Sequence, residues 1–371
     1  MDKEVINQKQ AILLMTTFII GSTVVLGVGG EAKQDVWIAI LLAMVMSCLI
    51  FIVYARIITL FPGKGLFDIL DNLFGKILGR IISLLFIWYA FHLGALVIRN
   101  FTEFIHIVSL EETPQNFLAL ISVILVIWAI RAGVEVIGRW IAIFFPIMVI
   151  TVIIHTLLTI NLIEVKNLEP VLYYGLQPVF SSAFSAFAFP FAETVLFLTV
   201  LGNLRKNSSP YKVYFLSLLI GGSFILLIAL RTIMVLGIAN SSIQLFPSYR
   251  AIRLISVGNF IQRMEILIGM AYTLSGFIKC CICLYAVTKG IASIFNIEDY
   301  HKIVAPFGLL MALFSGIIYS SSMEMVEWAT DLYKYYAIPF QIILPIIILI
   351  TAEIKTRMAK KSANVPETES K

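Results

Sequence analysis

Ten apolar runs take up most of this sequence, and each is long enough to cross the roughly 30 Å hydrocarbon core of a bilayer. They cover residues 10–28, 35–60, 77–102, 115–130, 138–162, 179–202, 211–239, 264–294, 303–321 and 336–355. In lipid the backbone must satisfy its own N–H and C=O groups, so such a chain forms helices or a closed barrel. The runs are continuous rather than alternating, which excludes a barrel. The segments between them are too short for a separate folded domain. The fold class read here is an all-α membrane protein of ten transmembrane helices. It forms one domain over residues 1–355, with a polar tail, residues 356–371, expected to be disordered.

Composition agrees. Hydrophobic residues make up 60% of the 371 and charged ones 13%, against roughly 45–50% and about 25% in soluble domains. Four cysteines are too few for a disulfide scaffold. The net charge of +5 is spread over the ends of apolar runs, so nucleic acid is not an expected partner. The polar start MDKEVINQKQ leads into a run that ends in glycines without an A-x-A-like site, and is read as a retained first helix.

Lys and Arg set the orientation. With the N-terminus cytoplasmic, 18 of the 27 basic residues fall on the cytoplasmic side and 6 outside, with Arg99, Arg231 and Lys279 inside spans. Both termini are therefore expected inside. Ten spans divide into halves of five, about residues 10–162 and 179–355, and an odd number per half inverts the second half. This is the arithmetic of an inverted-repeat transporter.

Spans one and six, equivalent under that repeat, are both interrupted. The first carries Gly21, Ser22 and Thr23 at its middle; the sixth carries Ser185, Phe187 and Phe189, then Pro190 and Glu193. Gly/Pro breaks at matching positions point to a midplane binding site, because unwound backbone in a membrane needs a partner. Each glycine taken alone also reads as a close helix–helix contact.

Ionisable residues in the membrane are costly unless paired or used. Glu193 lies about one turn beyond Pro190 and either steadies the unwound segment or pairs with an interior base. Lys279, in the eighth span, reads as a snorkelling lysine or as a partner of Glu193, with no small hydroxyl evident beside it. Arg99 and Glu103 form an i, i+4 pair. His155 reads as a hydrogen-bonded helix histidine, and Arg231 has no evident partner. Cys280, Cys281 and Cys283 lack metal-ligand spacing and read as apolar filler, so no metal or cofactor is implied. The segment Asn240–Gln262 suggests a short interfacial helix outside the membrane. No HExxH or GxSxG motif marks an enzyme.

The run Phe61-Pro62-Gly63-Lys64-Gly65-Leu66-Phe67, followed by Leu73-Phe74-Gly75-Lys76-Ile77-Leu78-Gly79-Arg80, resembles the loop after the second helix of spore germination receptor B subunits. The segments Phe189-Pro190-Phe191-Ala192-Glu193 and Arg263-Met264-Glu265 are similar to that family too. The resemblance runs over essentially the whole chain. It implies a LeuT-like fold of the amino acid–polyamine–organocation superfamily in the inner spore membrane. It also implies a nutrient germinant, commonly an amino acid, and partnership with a receptor A subunit and a C lipoprotein. By analogy with the family's pocket, Tyr89, His92, Leu93 and Leu96 on span three, and Cys281 and Tyr285 on span eight, would face the breaks. In sodium-coupled superfamily members spans one and eight hold the ion; with Lys279 there, sodium coupling is not expected. The competing reading is a proton-coupled transporter of amino acids or amines.

Overall fold

The computed structural model describes residues 4–255 and 265–363. They fold almost entirely as helix: α1 Gln8–Ile20, α2 Thr23–Leu26, α3 Val36–Leu60, α4 Leu66–Val108, α5 Gln115–Ala132, α6 Val134–Leu158, α7 Leu176–Ala186, α8 Phe197–Val200, α9 Pro210–Ser242, α10 Pro247–Arg253, α11 Glu265–Phe295, α12 His301–Ile317, α13 Ser322–Glu327, α14 Tyr333–Ile338 and α15 Leu344–Ala363. Eight helical stretches among the described residues are long and apolar enough to cross a membrane. The helix His301–Ile317 is apolar but shorter, and the first apolar run is divided between α1 and α2.

Local chemistry sets several ends. Asn7 and Gln10 form a reciprocal capping box at α1, each side chain accepting from the other's backbone N–H at 2.9 Å. Ser209 caps α9, with Pro210 in its first turn, where a missing N–H does no harm. Gly133, at φ +98°, separates α5 from α6. The long helix α4 bends at Gly75, which takes φ +72°, so the amphipathic stretch after Gly65 joins the third span.

Helix α4 packs along α11, and α9 packs against both α1 and α3. Small residues permit the close approaches. A methyl at Gly94 would lie 2.4 Å from Met311 Sδ, and one at Gly222 would lie 2.5 Å from Met44 Cε. The outer surface is the reverse: Leu49, Ile77, Ile143, Leu313 and Ile317 are mostly exposed, as a lipid-facing surface requires.

Two boundaries differ from the sequence reading. The tenth apolar run begins earlier, because Ser322–Ile343 is helical with wide turns at Trp328–Leu332 and Pro339–Ile343. Its Glu324, Asp331 and Lys334 resemble loop chemistry in sequence, yet Ser321 caps the helix by accepting from Glu324 N at 3.2 Å. The tail starts later than residue 356, since α15 continues to Ala363. In the segment Asn240–Gln262, α10 is the expected short helix; residues 256–262, like Arg263 and Met264, lie outside the described residues.

Candidate functional site

The backbone leaves helical geometry at two places that face each other across the core. After α1, Gly21 takes φ +26° and ψ −120°. A side chain there would be strained, and its Cβ would lie 2.6 Å from Phe18 O and 2.9 Å from Lys279 Cδ. After α7, Phe189 takes φ −132° and ψ 112°, ahead of a cis peptide to Pro190.

Side chains from other helices satisfy the released carbonyls, as a membrane interior demands. Ser275 of α11 donates to Gly21 O at 2.8 Å, and Thr23 donates to Ile20 O at 2.6 Å. Gln341 donates to Ala188 O at 2.9 Å, and Tyr54 of α3 donates to Ala192 O at 3.2 Å. Ser275 corrects the sequence reading. A small hydroxyl does stand one turn before Lys279, and its proton is directed at the break of the first span.

Between the breaks lies a buried ion pair. The Lys279 ammonium donates to Glu193 Oε2, and both side chains are fully buried. The other carboxylate oxygen accepts from Tyr333 of α14 at 2.6 Å. The network continues: Tyr333 and Tyr89 hydroxyls are 3.1 Å apart, and Gln341 Nε2 donates to the Tyr89 oxygen at 2.8 Å. Lys279 also lies 4.6 Å from the Phe189 ring centroid and 5.1 Å from that of Phe18. One hub therefore touches the first span, the second break and the tenth apolar run.

A cavity of about 390 Å³ rises from this hub toward the face opposite the N-terminus. Its floor includes Thr23, Ser185, Phe189, Glu193 and Tyr333. Leu93, Leu96 and Val97 of α4 and Ile225 and Ile228 of α9 add apolar lining. Ser185 Oγ is buried without a hydrogen-bond partner among the described residues. Two lining residues are held from outside the cavity: Lys334 bridges Glu31 at 3.0 Å and Ser181 at 3.1 Å, and Lys33 sits 3.6 Å from the Tyr174 ring centroid. Ser248 of α10 also lines the cavity and accepts from Arg231 Nη2 at 2.6 Å, which supplies the partner for Arg231 that the sequence did not reveal.

The candidate residues therefore separate. Thr23, Leu93, Ser185, Phe189 and Glu193 line the cavity. Gly21, Ser22, Tyr89, Pro190 and Lys279 are buried just behind it. Phe187 is buried against Phe184, with ring centroids 6.0 Å apart. Cys281 and Tyr285 do not line it: Cys281 lies in the apolar core, and Tyr285 faces a different cavity, where Asn203 donates to its hydroxyl at 2.6 Å. The i, i+4 spacing does align these two, but along a face that runs away from the break. His92 packs among aromatic rings, 5.0 Å from Tyr336 and 5.6 Å from Trp328. Arg99 and Glu103 pair at 3.4 Å, with Gln115 and Ser322 also donating to Glu103. His155 Nδ1 lies 2.6 Å from Thr151 O. Sequence reasoning missed Tyr333, Gln341, Ser275 and Lys334. Tyr333 and Lys334 share a stretch whose charges masked its helical character, and Gln341 lies in the expected tenth run with no local sign of its contacts.

Comparison with known proteins places this geometry. Solved structures with the same fold include Mhp1, a nucleobase-cation-symport-1 family transporter in a closed conformation with bromovinylhydantoin bound. Its TM-score is 0.69 at 12% identity, over 94% of this chain and 78% of that one. MhsT in complex with L-phenylalanine matches with a TM-score of 0.63 at 14% identity, over 95% of this chain and 99% of that one. The chain is thus an integral membrane protein with a LeuT-like transporter fold. Spore germination protein KB of Bacillus subtilis (strain 168) is 28% identical over 366 residues, 98% of each chain. A family model described as Spore germination protein matches residues 5–323. The chain belongs to the spore germination protein family, as one of its permease-type members.

Proposed function

We propose that this permease-type germination protein is the nutrient-sensing B subunit of a germinant receptor. It binds a small germinant, an amino acid, in the cavity above the Lys279–Glu193–Tyr333 hub. The observation that carries this reading is the hub's position: it forms the cavity floor and contacts both backbone breaks. A ligand that alters any arm of the hub acts on both interrupted segments at once. Such differential contact is what a binding signal requires. The amino acid bound in the structural neighbour MhsT supports the ligand class, as does the mixed floor and aliphatic lining.

The same reading places the protein in the inner spore membrane with both termini cytoplasmic. It takes ten spans in two inverted halves, about residues 10–162 and 179–355. A receptor A subunit and a C lipoprotein are the partners. Contacts within the cavity fall to Thr23, Leu93, Ser185 and Phe189, with Gly21, Ser22, Tyr89 and Phe187 shaping it from behind. Lys279 stands against Gly21, with Ser275 already bonded to the Gly21 carbonyl, which argues against sodium as the coupling ion.

A proton-coupled transporter is the second reading, favoured by a buried carboxylate in a fold shared with transporters. Proteoliposomes separate the two. Saturable binding of one of the twenty amino acids without gradient-driven accumulation is expected of the receptor. Accumulation driven by a proton gradient would establish the transporter. Binding that requires sodium would contradict the role given to Lys279.

A further inference from the structure

A second cavity, of about 320 Å³, opens on the face that carries the N-terminal segment. The 13 residues of α1 separate that face from the first break, roughly 20 Å along the helix. Four carboxylates from three parts of the chain line it: Glu4, Asp68 at the start of α4, and Glu298 and Asp299 between α11 and α12. Lys289 supplies the fixed positive charge, and His301 adds one only when protonated. The Lys289 ammonium lies 4.1 Å from the Tyr300 ring centroid and 5.5 Å from that of Tyr285, and pairs with no carboxylate among the described residues. The hydrogen bond from His301 holds the Asp299 carboxyl below the usual carboxylate range, so this wall stays charged under mild acid.

Two oxygens in the cavity have no partner among the described residues. Thr199 is 5% exposed, and its Oγ1 is buried without a hydrogen bond. Glu4 Oε1 accepts from Tyr300 at 2.6 Å, but its Oε2 is also buried without a partner. An ionised carboxylate offers only lone pairs, and a hydroxyl can offer its own. Both therefore suit a positive guest, and a lining of four carboxylates against Lys289 and His301 leaves an excess of negative charge that concentrates such guests.

We infer that this cavity is a binding site for a small monovalent cation, an alkali ion or a primary ammonium group. Glu4 and Thr199 Oγ1 are its direct oxygen ligands, and Lys289 is a tethered competitor. A divalent ion does not fit. Among the described residues no three Asp, Glu, His or Cys side chains converge as a metal site, and calcium or magnesium needs several close oxygen ligands. The volume accommodates a guest with part of its water, at about 30 Å³ per water. Thr199 lies in α8, six residues beyond Glu193 on the same interrupted segment, so occupancy bears directly on that segment.

The test uses the purified full-length protein and thermal unfolding. KCl, NaCl or methylammonium chloride replaces N-methyl-D-glucamine chloride at constant ionic strength. A saturable rise in Tm with an alkali ion, with methylammonium or with both is expected, and the pattern distinguishes the two sources. Glu4→Gln and Thr199→Val should each weaken the apparent affinity about tenfold, and Lys289→Met should strengthen it by a similar factor. Thr199→Val keeps shape and volume, so it remains informative where Glu4→Gln loosens the N-terminal segment. Equal Tm in all four salts would overturn the inference. So would a cation response unaltered in the Thr199 and Lys289 variants, or a response confined to calcium or magnesium.

Discussion

Lys279 and Glu193 are each fully buried, and each would be an isolated charge without the other. Removing one partner of such a pair typically costs about 3–5 kcal/mol, because the survivor stays buried and unpaired. Lys279→Met is therefore expected to lower Tm sharply. The double variant Lys279→Met/Glu193→Gln should recover much of that loss, which a double-mutant cycle in detergent would read. Additive losses would show that the two do not act as a pair. Tyr333→Phe removes one hydrogen bond to the carboxylate, worth about 1.5–3 kcal/mol, and should reduce stability less than Lys279→Met does. The charges themselves were legible in the sequence, since an intramembrane carboxylate or ammonium stands out against apolar neighbours. Their pairing stood there only as one alternative, because 86 residues separate them and spacing says nothing about contacts at that range. Tyr333 was not legible at all: a tyrosine beside Asp331 and Lys334 looks like loop until the helix around it is seen.

The interrupted segments and the tenth apolar run carry the next level. Gly21 and Pro190 signalled the breaks from sequence because few residues tolerate those backbone positions. What satisfies the broken backbone came from elsewhere, through Ser275, Gln341 and Tyr54, and no local pattern encodes such partners. Ser275→Ala should free the Gly21 carbonyl and cost about 1 kcal/mol in thermal unfolding. Gly21→Ala should be far more damaging, since the new methyl meets both Phe18 O and Lys279 Cδ at under 3 Å. A Tm within a degree of wild type for Gly21→Ala would mean that this break is relaxed. Beside the cavity-lining Glu31, Lys334 ties α14 to that residue and to Ser181. Lys334→Gln should loosen that contact. In a Cys48→Ser background, a cysteine replacing Ser185 on the cavity floor should then react faster with a charged thiol reagent. An unchanged rate would remove Lys334 from any gating role. The bridge is partly exposed on its Glu31 side, so salt should produce part of the same effect.

For the whole molecule, hydropathy and the Lys/Arg distribution carried the class of protein, and the paired breaks carried the transporter-like core. Both follow from the bilayer as solvent, which punishes every exposed backbone group and every stray charge. The placement of Tyr285 did not follow, because the described residues form more than one cavity and a helix face alone does not say which one it serves. The hub links one cavity to both breaks, so a sensing role requires that ligand binding fail to produce a response when the hub is altered without unfolding. Spores carrying Tyr333→Phe as the sole copy, the hub change with the smaller stability cost, scored for germination across an amino acid panel beside an immunoblot for protein level, put that requirement to trial. Normal protein abundance with germination reduced at least tenfold, about 1.4 kcal/mol of lost coupling, is expected. Wild-type germination at wild-type abundance would contradict a sensing role for the hub.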